Sequence, residues 1–115
     1  MGPGTTTPSS TRAAALGEYG GLGLMVPNHQ WIPAASFSYE NQASAEALLN
    51  RYVGLIVVLR EHMRQGLSVA IYTELTDVES EVNGIFTYDR QVQKCQPISS
   101  SLHIFYSSVI RGQLP

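Results

Sequence analysis

Cysteine, charged residues and long apolar runs are all scarce in this sequence. The only cysteine in 115 residues is Cys95, which excludes an internal disulfide and a cysteine-rich zinc site. Only 14% of the residues are charged, the net charge is −2 and no basic stripe is present, so we expect no nucleic-acid partner. The longest apolar run, 53–59, is too short to span a bilayer, and the first residues do not make a secretory signal. We therefore expect no membrane partner, and the sequence indicates no cellular compartment.

Two common cofactor and metal patterns are also missing. Gly20, Gly21 and Gly23 do not make the G-x-G-x-x-G spacing of a dinucleotide-binding fingerprint. The acidic run at 77–81 resembles the opening of a calcium-binding loop, but its glycine, Gly84, stands two places too late. We predict no cofactor and no metal site, and we interpret the acidic run as a solvated or hydrogen-bonded loop.

The strongest local pattern follows a Gly-, Pro-, Ser- and Thr-rich segment, 1–11, which indicates a loop or linker. Next comes a short apolar run that predicts a strand at 12–19, buried on both faces as in a parallel sheet. Glu18 lies at the end of this strand, beside a glycine-rich exit. A carboxylate at such a strand end is a candidate catalytic group in α/β folds. The alternative is a structural ion pair with an arginine such as Arg12.

A long irregular stretch, 20–43, follows the strand and contains three aromatic residues. Loops of this length are usually functional or disordered, and the aromatic residues argue against disorder. Trp31 is either a platform for a sugar ring or a plug that packs the loop down, and composition favours the plug. His29 either reaches a ligand hydroxyl or is satisfied inside its own loop, which is the commoner arrangement.

The next segment has clear helix signals. Ser44 is an N-cap residue, Gly66 supplies a stop after Arg64, and apolar residues recur between them at three- and four-residue spacing. The middle of this helix is apolar nearly all round, so it requires more neighbours than a lone surface helix has.

Residues 67–75 are rich in β-branched and aromatic types and predict a second strand. With the first strand and the helix they make a β–loop–α–β unit, so we predict two parallel strands. Glu74 then lies near the same end of the sheet as Glu18. Further on, Asn83-Gly84 predicts a hairpin turn.

The remaining segment, 95–115, is serine-rich and fits neither a helix nor a strand that would complete this unit. We interpret Cys95 as an inert thiol. One helix and one pair of parallel strands cannot cover both faces of a sheet that requires covering on both. The sequence therefore predicts part of a larger α/β domain.

Several motifs, in the right order, resemble the end of the catalytic barrel of glycoside hydrolase family 2, which includes β-galactosidases, β-glucuronidases and β-mannosidases. The motifs are ALGEYGGLGL, PNHQW and the segment RQGLSVAIYTELTDVESEVNGIFTYDR. The resemblance implies a partial (β/α)₈ TIM barrel, in which residues 12–94 supply the seventh strand, the seventh helix and the eighth strand. The tail, 95–115, does not follow the family and is predicted to be disordered or mis-spliced, as expected for a fragment of such a gene product.

The same resemblance implies an O-glycosyl hydrolase that cleaves a β-glycoside with retention, in carbohydrate metabolism. The family's nucleophile is a glutamate at the end of the seventh strand, which corresponds to Glu18 in GEYGG. Its acid/base carboxyl belongs to an Asn-Glu pair on the fourth strand, which residues 12–94 do not contain. We therefore expect the isolated chain to be inactive. Two alternatives stay open for its folding: it folds alone, or it needs the missing barrel portion.

Four further residues are implied to bind the sugar. His29 and Trp31 match the family's H-x-W motif, and Tyr72 stands where many members have a tryptophan that floors the sugar site. Glu74 is either incidental or a contact to a sugar hydroxyl, since relatives often have glutamine there. The alternative function is a non-catalytic carbohydrate-binding or structural remnant of such an enzyme.

Overall fold

The computed structural model of the chain describes residues 9–95. These residues form a mixed α/β arrangement with short parallel sheets and one helix. The predicted tail lies outside the described residues from residue 96 onward, and so does the predicted linker up to residue 8. In chain order the elements are β1 (Ala14–Tyr19), β2 (Leu22–Gly23), a 3₁₀ turn (Pro33–Ala35), β3 (Glu40–Asn41), α1 (Ala45–Arg64) and β4 (Leu67–Tyr72).

The predicted β–loop–α–β unit is confirmed. Strands β1 and β4 pair in parallel, with Leu16 opposite Ala70 and Tyr19 opposite Tyr72. The loop between β1 and α1 contains its own small parallel pair, β2 with β3. The carboxyl ends of β1 and β4 therefore lie at one end of the sheet, where active sites form in α/β folds.

The ends of α1 follow the predicted capping signals. The Ser44 hydroxyl accepts a hydrogen bond at 3.1 Å from the backbone N–H of Ala47, which satisfies a donor that the first helical turn leaves free. Beyond Gln65, Gly66 has φ of +105°, a left-handed conformation in which glycine commonly ends a helix. Both boundaries follow from local chemistry, and the prediction is confirmed.

The prediction that β1 is buried on both faces is wrong for the described part of the chain. Four of its six residues are exposed, and on the neighbouring strand Val69 and Ile71 are 49% and 56% exposed. The reason is that β1 and β4 form a sheet of only two strands among residues 9–95. Apolar β4 side chains therefore face solvent.

The buried core lies beside the carboxyl ends of the strands. Leu22, Leu48 and Cys95 form a buried cluster, and Val82 is 2% exposed. Cys95, although it begins the predicted tail, packs with the preceding residues. Burial raises the pKa of its thiol, which agrees with an inert role because the thiolate is the reactive form.

The predicted hairpin turn at Asn83-Gly84 is also wrong. The turn occurs four residues earlier, where Val78 and Glu81 exchange backbone hydrogen bonds of 2.9 and 3.1 Å. Asn83 is fully buried and so cannot sit at a turn tip. Gly84 is required for another reason: a Cβ there would lie 2.7 Å from the carbonyl oxygen of Phe86.

Candidate functional site at the end of the strand pair

Glu18 lies in a bulge near the carboxyl end of β1. Two residues, Gly17 and Glu18, separate Leu16 from Tyr19, whereas only Ile71 separates the partners of those two residues on β4. Such an extra residue interrupts the regular alternation of a strand and re-aims side chains, and bulges are over-represented next to active sites. Glu18 is exposed here.

The carboxylate of Glu18 is available to a ligand. Within residues 9–95 it makes no hydrogen bond, and the ion pairs of these residues do not include Arg12 with Glu18. The structural ion pair that the sequence left open is therefore not formed in the described part of the chain. A carboxylate with free lone pairs can accept hydrogen bonds or act as a nucleophile.

The glycines after Glu18 bring two aromatic rings against the backbone. Gly20 and Gly21 have φ of +106° and +72°, conformations that side chains rarely adopt. A Cβ at Gly20 would overlap the ring of Tyr72, and a Cβ at Gly21 would lie 2.7 Å from Cδ2 of Tyr39. The strand exit therefore requires glycine both for its backbone angles and for these close contacts.

Tyr72 is held on several sides by protein groups. Its ring makes edge-to-face contacts with Tyr19, at 5.4 Å between centroids, and with Tyr52 of α1, at 5.5 Å. Its hydroxyl donates a long hydrogen bond of 3.5 Å to the carbonyl oxygen of Asn83. Burial raises the pKa of Tyr72 well above its ordinary value, so the hydroxyl stays protonated as a donor.

Glu74 lies two residues beyond Tyr72 and is partly buried. Its Oε1 accepts a hydrogen bond of 3.0 Å from the backbone N–H of Asn83. Burial raises the pKa of Glu74 to about 7, and the nearby carboxylates Glu81 and Asp77 act in the same direction. Near neutral pH this carboxyl group can therefore either hold or release a proton.

Asn83 connects these groups, and sequence reasoning missed it by assigning it to a turn. Its Nδ2 donates to Oε1 of Glu81 at 2.6 Å, which fixes the orientation of the amide. Its Oδ1 is buried and has no hydrogen-bond partner among the described residues. A buried acceptor left unpaired is costly, so this oxygen marks a position where an ordered water or a ligand hydroxyl would be stabilised.

A buried ion pair supports the segment that carries Asn83. Nζ of Lys94 lies 2.6 Å from Oδ1 of Asp77, and it also donates to the carbonyl oxygen of Val82 at 3.0 Å. The same Asp77 oxygen accepts a hydrogen bond from the N–H of Gly84 at 2.8 Å. Burial raises the pKa of Asp77 and lowers that of Lys94, which shows that desolvation opposes the pair.

His29 and Trp31 both contact a segment close to the end of the described chain. Nδ1 of His29 lies 2.7 Å from Oδ2 of Asp89, and the ring of Trp31 packs against Tyr88 at 4.7 Å between centroids. Trp31 nevertheless remains 53% exposed. The histidine is therefore satisfied, but by a residue sixty positions away rather than inside its own loop.

The predicted site residues thus fall into two groups. Register places Glu18, Tyr72 and Glu74 at the same end of the β1–β4 sheet. Within residues 9–95, His29 and Trp31 make no hydrogen bond, ion pair or ring contact with that group, and are joined to the segment 87–91 instead. Tyr88 and Asp89 were missed because nothing in their local sequence shows what they touch.

Residues 9–95 contain no group of three or more histidine, cysteine, aspartate or glutamate side chains that could hold a metal ion. In the same range, no helix is long and apolar enough to cross a bilayer.

No model of a known protein family matches the chain, and no curated protein matches it significantly.

Proposed function

We propose that this chain supplies the last part of the (β/α)₈ barrel of a retaining β-glycosidase similar to glycoside hydrolase family 2, with Glu18 as the nucleophile. The observation that carries the proposal is the position of Glu18, exposed in a bulge at the carboxyl end of a strand that pairs in parallel with β4. Catalytic groups of barrel enzymes sit at this end of the strands. The GEYGG setting of Glu18 supports the same role.

The chemistry assigned to Glu18 is displacement at the anomeric carbon. Its carboxylate bonds to that carbon while the bond to the leaving oxygen breaks, and a second carboxyl group, about 5 to 5.5 Å from the first in retaining enzymes, protonates that oxygen. The same group then removes a proton from water, which attacks the anomeric carbon and releases both the sugar and Glu18. The site therefore needs two carboxyl groups.

Residues 12–94 do not supply a suitable second carboxyl group. Burial raises the pKa of Glu74 to about 7, so it can hold a proton near neutral pH, and it lies at the same end of the sheet, but its Oε1 accepts a hydrogen bond from the N–H of Asn83. The resemblance assigns the acid/base to an earlier strand, outside residues 12–94. We therefore assign Glu74 to hydrogen bonding with the sugar or its surroundings, and expect no turnover by this chain alone.

The open sheet supports the need for a larger barrel. Parallel strands are normally covered on both faces, yet Val69 and Ile71 of β4 are about half exposed. On α1, Val57 and Val58 are 60% and 54% exposed, as expected for a helix that packs between neighbours. Further strands and helices of a barrel would cover these surfaces.

A non-catalytic carbohydrate-binding role is the second candidate. The observation that favours it is the ring of Trp31, which is fixed against Tyr88 while about half of it stays exposed. Aromatic rings held in this way supply large contact area at low entropy cost. Titration calorimetry with a β-glycoside, comparing the chain with Trp31→Ala, measures this role without requiring any reaction.

Trapping the glycosyl intermediate tests the catalytic proposal. Dinitrophenyl β-glycosides with fluorine next to the anomeric carbon have a leaving group that departs without protonation, so the missing acid is not required. We expect intact-mass analysis to detect one covalent sugar on the chain and none on Glu18→Gln. Ordinary aryl β-glycosides should not be hydrolysed. Their hydrolysis by the chain, lost in Glu18→Gln, would show that the acid/base group is present after all.

A further inference from the structure

Two exposed aromatic rings lie next to the strand exit that follows Glu18. Phe37 is 49% exposed and Tyr39 is 70% exposed. Their rings pack edge to face with 5.2 Å between centroids, so both side chains project on the same side of the segment. Phe37 and Tyr39 lie outside the motifs identified in the sequence.

The backbone beneath these rings is held firmly. The N–H of Phe37 donates to the carbonyl oxygen of Ser80 at 2.7 Å, and its own carbonyl oxygen accepts from Val82 at 2.9 Å. After Tyr39, the N–H of Glu40 donates to Gly21 at 3.1 Å. Both rings are therefore carried on backbone that is bonded on either side, which lowers the entropy cost of using them to bind a ligand.

A salt bridge extends this support to the helix. The carboxylate of Glu40 receives two hydrogen bonds from Arg51 of α1, at 2.8 and 3.0 Å. Arg51 lowers the pKa of Glu40, so the carboxylate remains ionised and paired near neutral pH. The β3 strand that follows Tyr39 is thus tied to the helix as well as to β2.

The ring of Tyr39 is close to Glu18 along the chain. It lies against the backbone of Gly21, which is three residues beyond Glu18, and three residues span at most about 11 Å. The aromatic pair is therefore close enough to Glu18 for a β-glycoside of more than one sugar unit, bound at the Glu18 carboxylate, to reach it.

We propose that Phe37 and Tyr39 form a second sugar-binding surface, which stacks against the apolar C–H face of a pyranose ring in the β-glycoside. The inference rests on the proposed function because it takes the substrate class from it. A fully buried aromatic side chain covers about 150–250 Å², and Phe37 and Tyr39 expose about half and about 70% of their surfaces, an area on the scale of one sugar ring. A stable protein–protein interface needs about 800 Å² per partner. The Tyr39 hydroxyl adds a donor and acceptor for a sugar hydroxyl.

Titration of the full chain with methyl β-galactoside and methyl β-glucoside, followed by NMR, tests this surface. In the wild-type chain, the ring protons of Phe37 and Tyr39 should shift as sugar is added. Tyr39→Ala should weaken the affinity by about two- to tenfold, whereas Tyr39→Phe should bind nearly as the wild type. Val58→Ala, an exposed change on α1, is the matched control and should leave the affinity unchanged.

The outcomes separate this surface from the catalytic proposal. Unchanged ring signals with sugar up to about 100 mM, the range of a free energy near −1.4 kcal/mol, would overturn it, as would equal affinity of Tyr39→Ala and the wild type. The ring shifts require no variant, so a variant that fails to fold does not block the test. Sugar trapping on Glu18 without any role of Tyr39 would leave the nucleophile standing. Binding through Tyr39 without trapping would leave only the surface.

Discussion

Nδ1 of His29 lies 2.7 Å from Oδ2 of Asp89, a contact that joins the long loop after β1 to a segment sixty residues further along the chain. The ring of Trp31 meets Tyr88 directly beside it. Two of the motifs that suggested a glycosidase, PNHQW and TYDR, are therefore in contact with each other. The loop that would border a sugar site is held in place by this double contact.

Removing the histidine should loosen that loop. The backbone N–H of residue 29 donates a hydrogen bond of 3.1 Å to the carbonyl oxygen of Val26. Its exchange with solvent therefore reports on local opening of the loop. In His29→Ala, we expect amide hydrogen exchange across residues 26–31 to become several-fold faster. His62→Ala, an exposed histidine in the last turn of α1, is the control. Unchanged exchange in His29→Ala would mean that the contact with Asp89 does not hold the loop.

Lowering the pH should also loosen this loop, because protonation of Asp89 weakens its contact with His29. Hydrogen bonds from Thr87 and His29 lower the pKa of Asp89 to about 2. A carboxyl group with a lowered pKa contributes stability that is present above its unfolded value of 3.8 and lost as the pH falls toward 2. Relative to the intrinsic exchange rate at each pH, the protection of the amides in residues 26–31 should therefore fall between pH 4 and pH 2, and Asp89→Ala should show the low protection at every pH.

Replacing either Lys94 or Asp77 alone should destabilise the chain more than replacing both. Lys94→Met or Asp77→Ala alone leaves an unpaired buried charge, which should lower the free energy of unfolding by about 3–5 kcal/mol. The double variant should recover much of that loss, because desolvation opposes the pair. Urea denaturation of the four proteins measures the coupling. Additive losses would show that the 2.6 Å contact carries little energy.

Glu74 should make the chain less stable as the pH rises. Burial raises its pKa from 4.5 to about 7, and a group whose folded pKa is raised contributes stability that is present below the unfolded value and lost as the pH rises through the folded one. Glu74→Gln removes this titration. We expect the Tm of the wild type to fall relative to that of Glu74→Gln as the pH rises from 5 to 8. A constant difference would contradict the raised pKa.

Alanine substitutions at Gly84 and Gly54 should change the free energy of unfolding in opposite directions. Gly84→Ala places a Cβ against the backbone of Phe86 and Asp77, so it should lower the free energy of unfolding by about 1–3 kcal/mol or more. Gly54 lies inside α1 with open space around it, and Gly54→Ala should raise stability by about 0.5–1 kcal/mol. Thermal denaturation measures the stability of both variants. If Gly84→Ala were as stable as the wild type, the close backbone contacts at Gly84 would be contradicted.

The sequence predicted the parts of the fold that depend on neighbouring residues. The helix followed from Ser44 and Gly66, whose roles are local, and the parallel strands followed from the order of elements. The turn at Asn83-Gly84 was mispredicted because the glycine serves close packing of the backbone rather than a left-handed turn. The exposure of β1 was mispredicted because a run of apolar residues indicates burial without showing whether covering elements are present.

For the candidate site too, the sequence predicted the features that depend on neighbouring residues and missed those that depend on distant ones. Glu18 and its glycine-rich exit could be found from sequence because they are adjacent. The partners of His29 and the unpaired Oδ1 of Asn83 depend on contacts across the fold, which spacing does not encode. The bulge that exposes Glu18 appears only when the register of β1 against β4 is known.

Peptide mapping of the trapped sugar tests the central claim most directly. After reaction with the fluorinated dinitrophenyl β-glycosides, we predict a label on Glu18 alone, no label in Glu18→Gln, and unchanged labelling in Glu46→Gln, an exposed carboxylate in the first turn of α1. A label on Glu74 or another carboxylate, or labelling that persists in Glu18→Gln, would contradict the assignment of Glu18 as nucleophile.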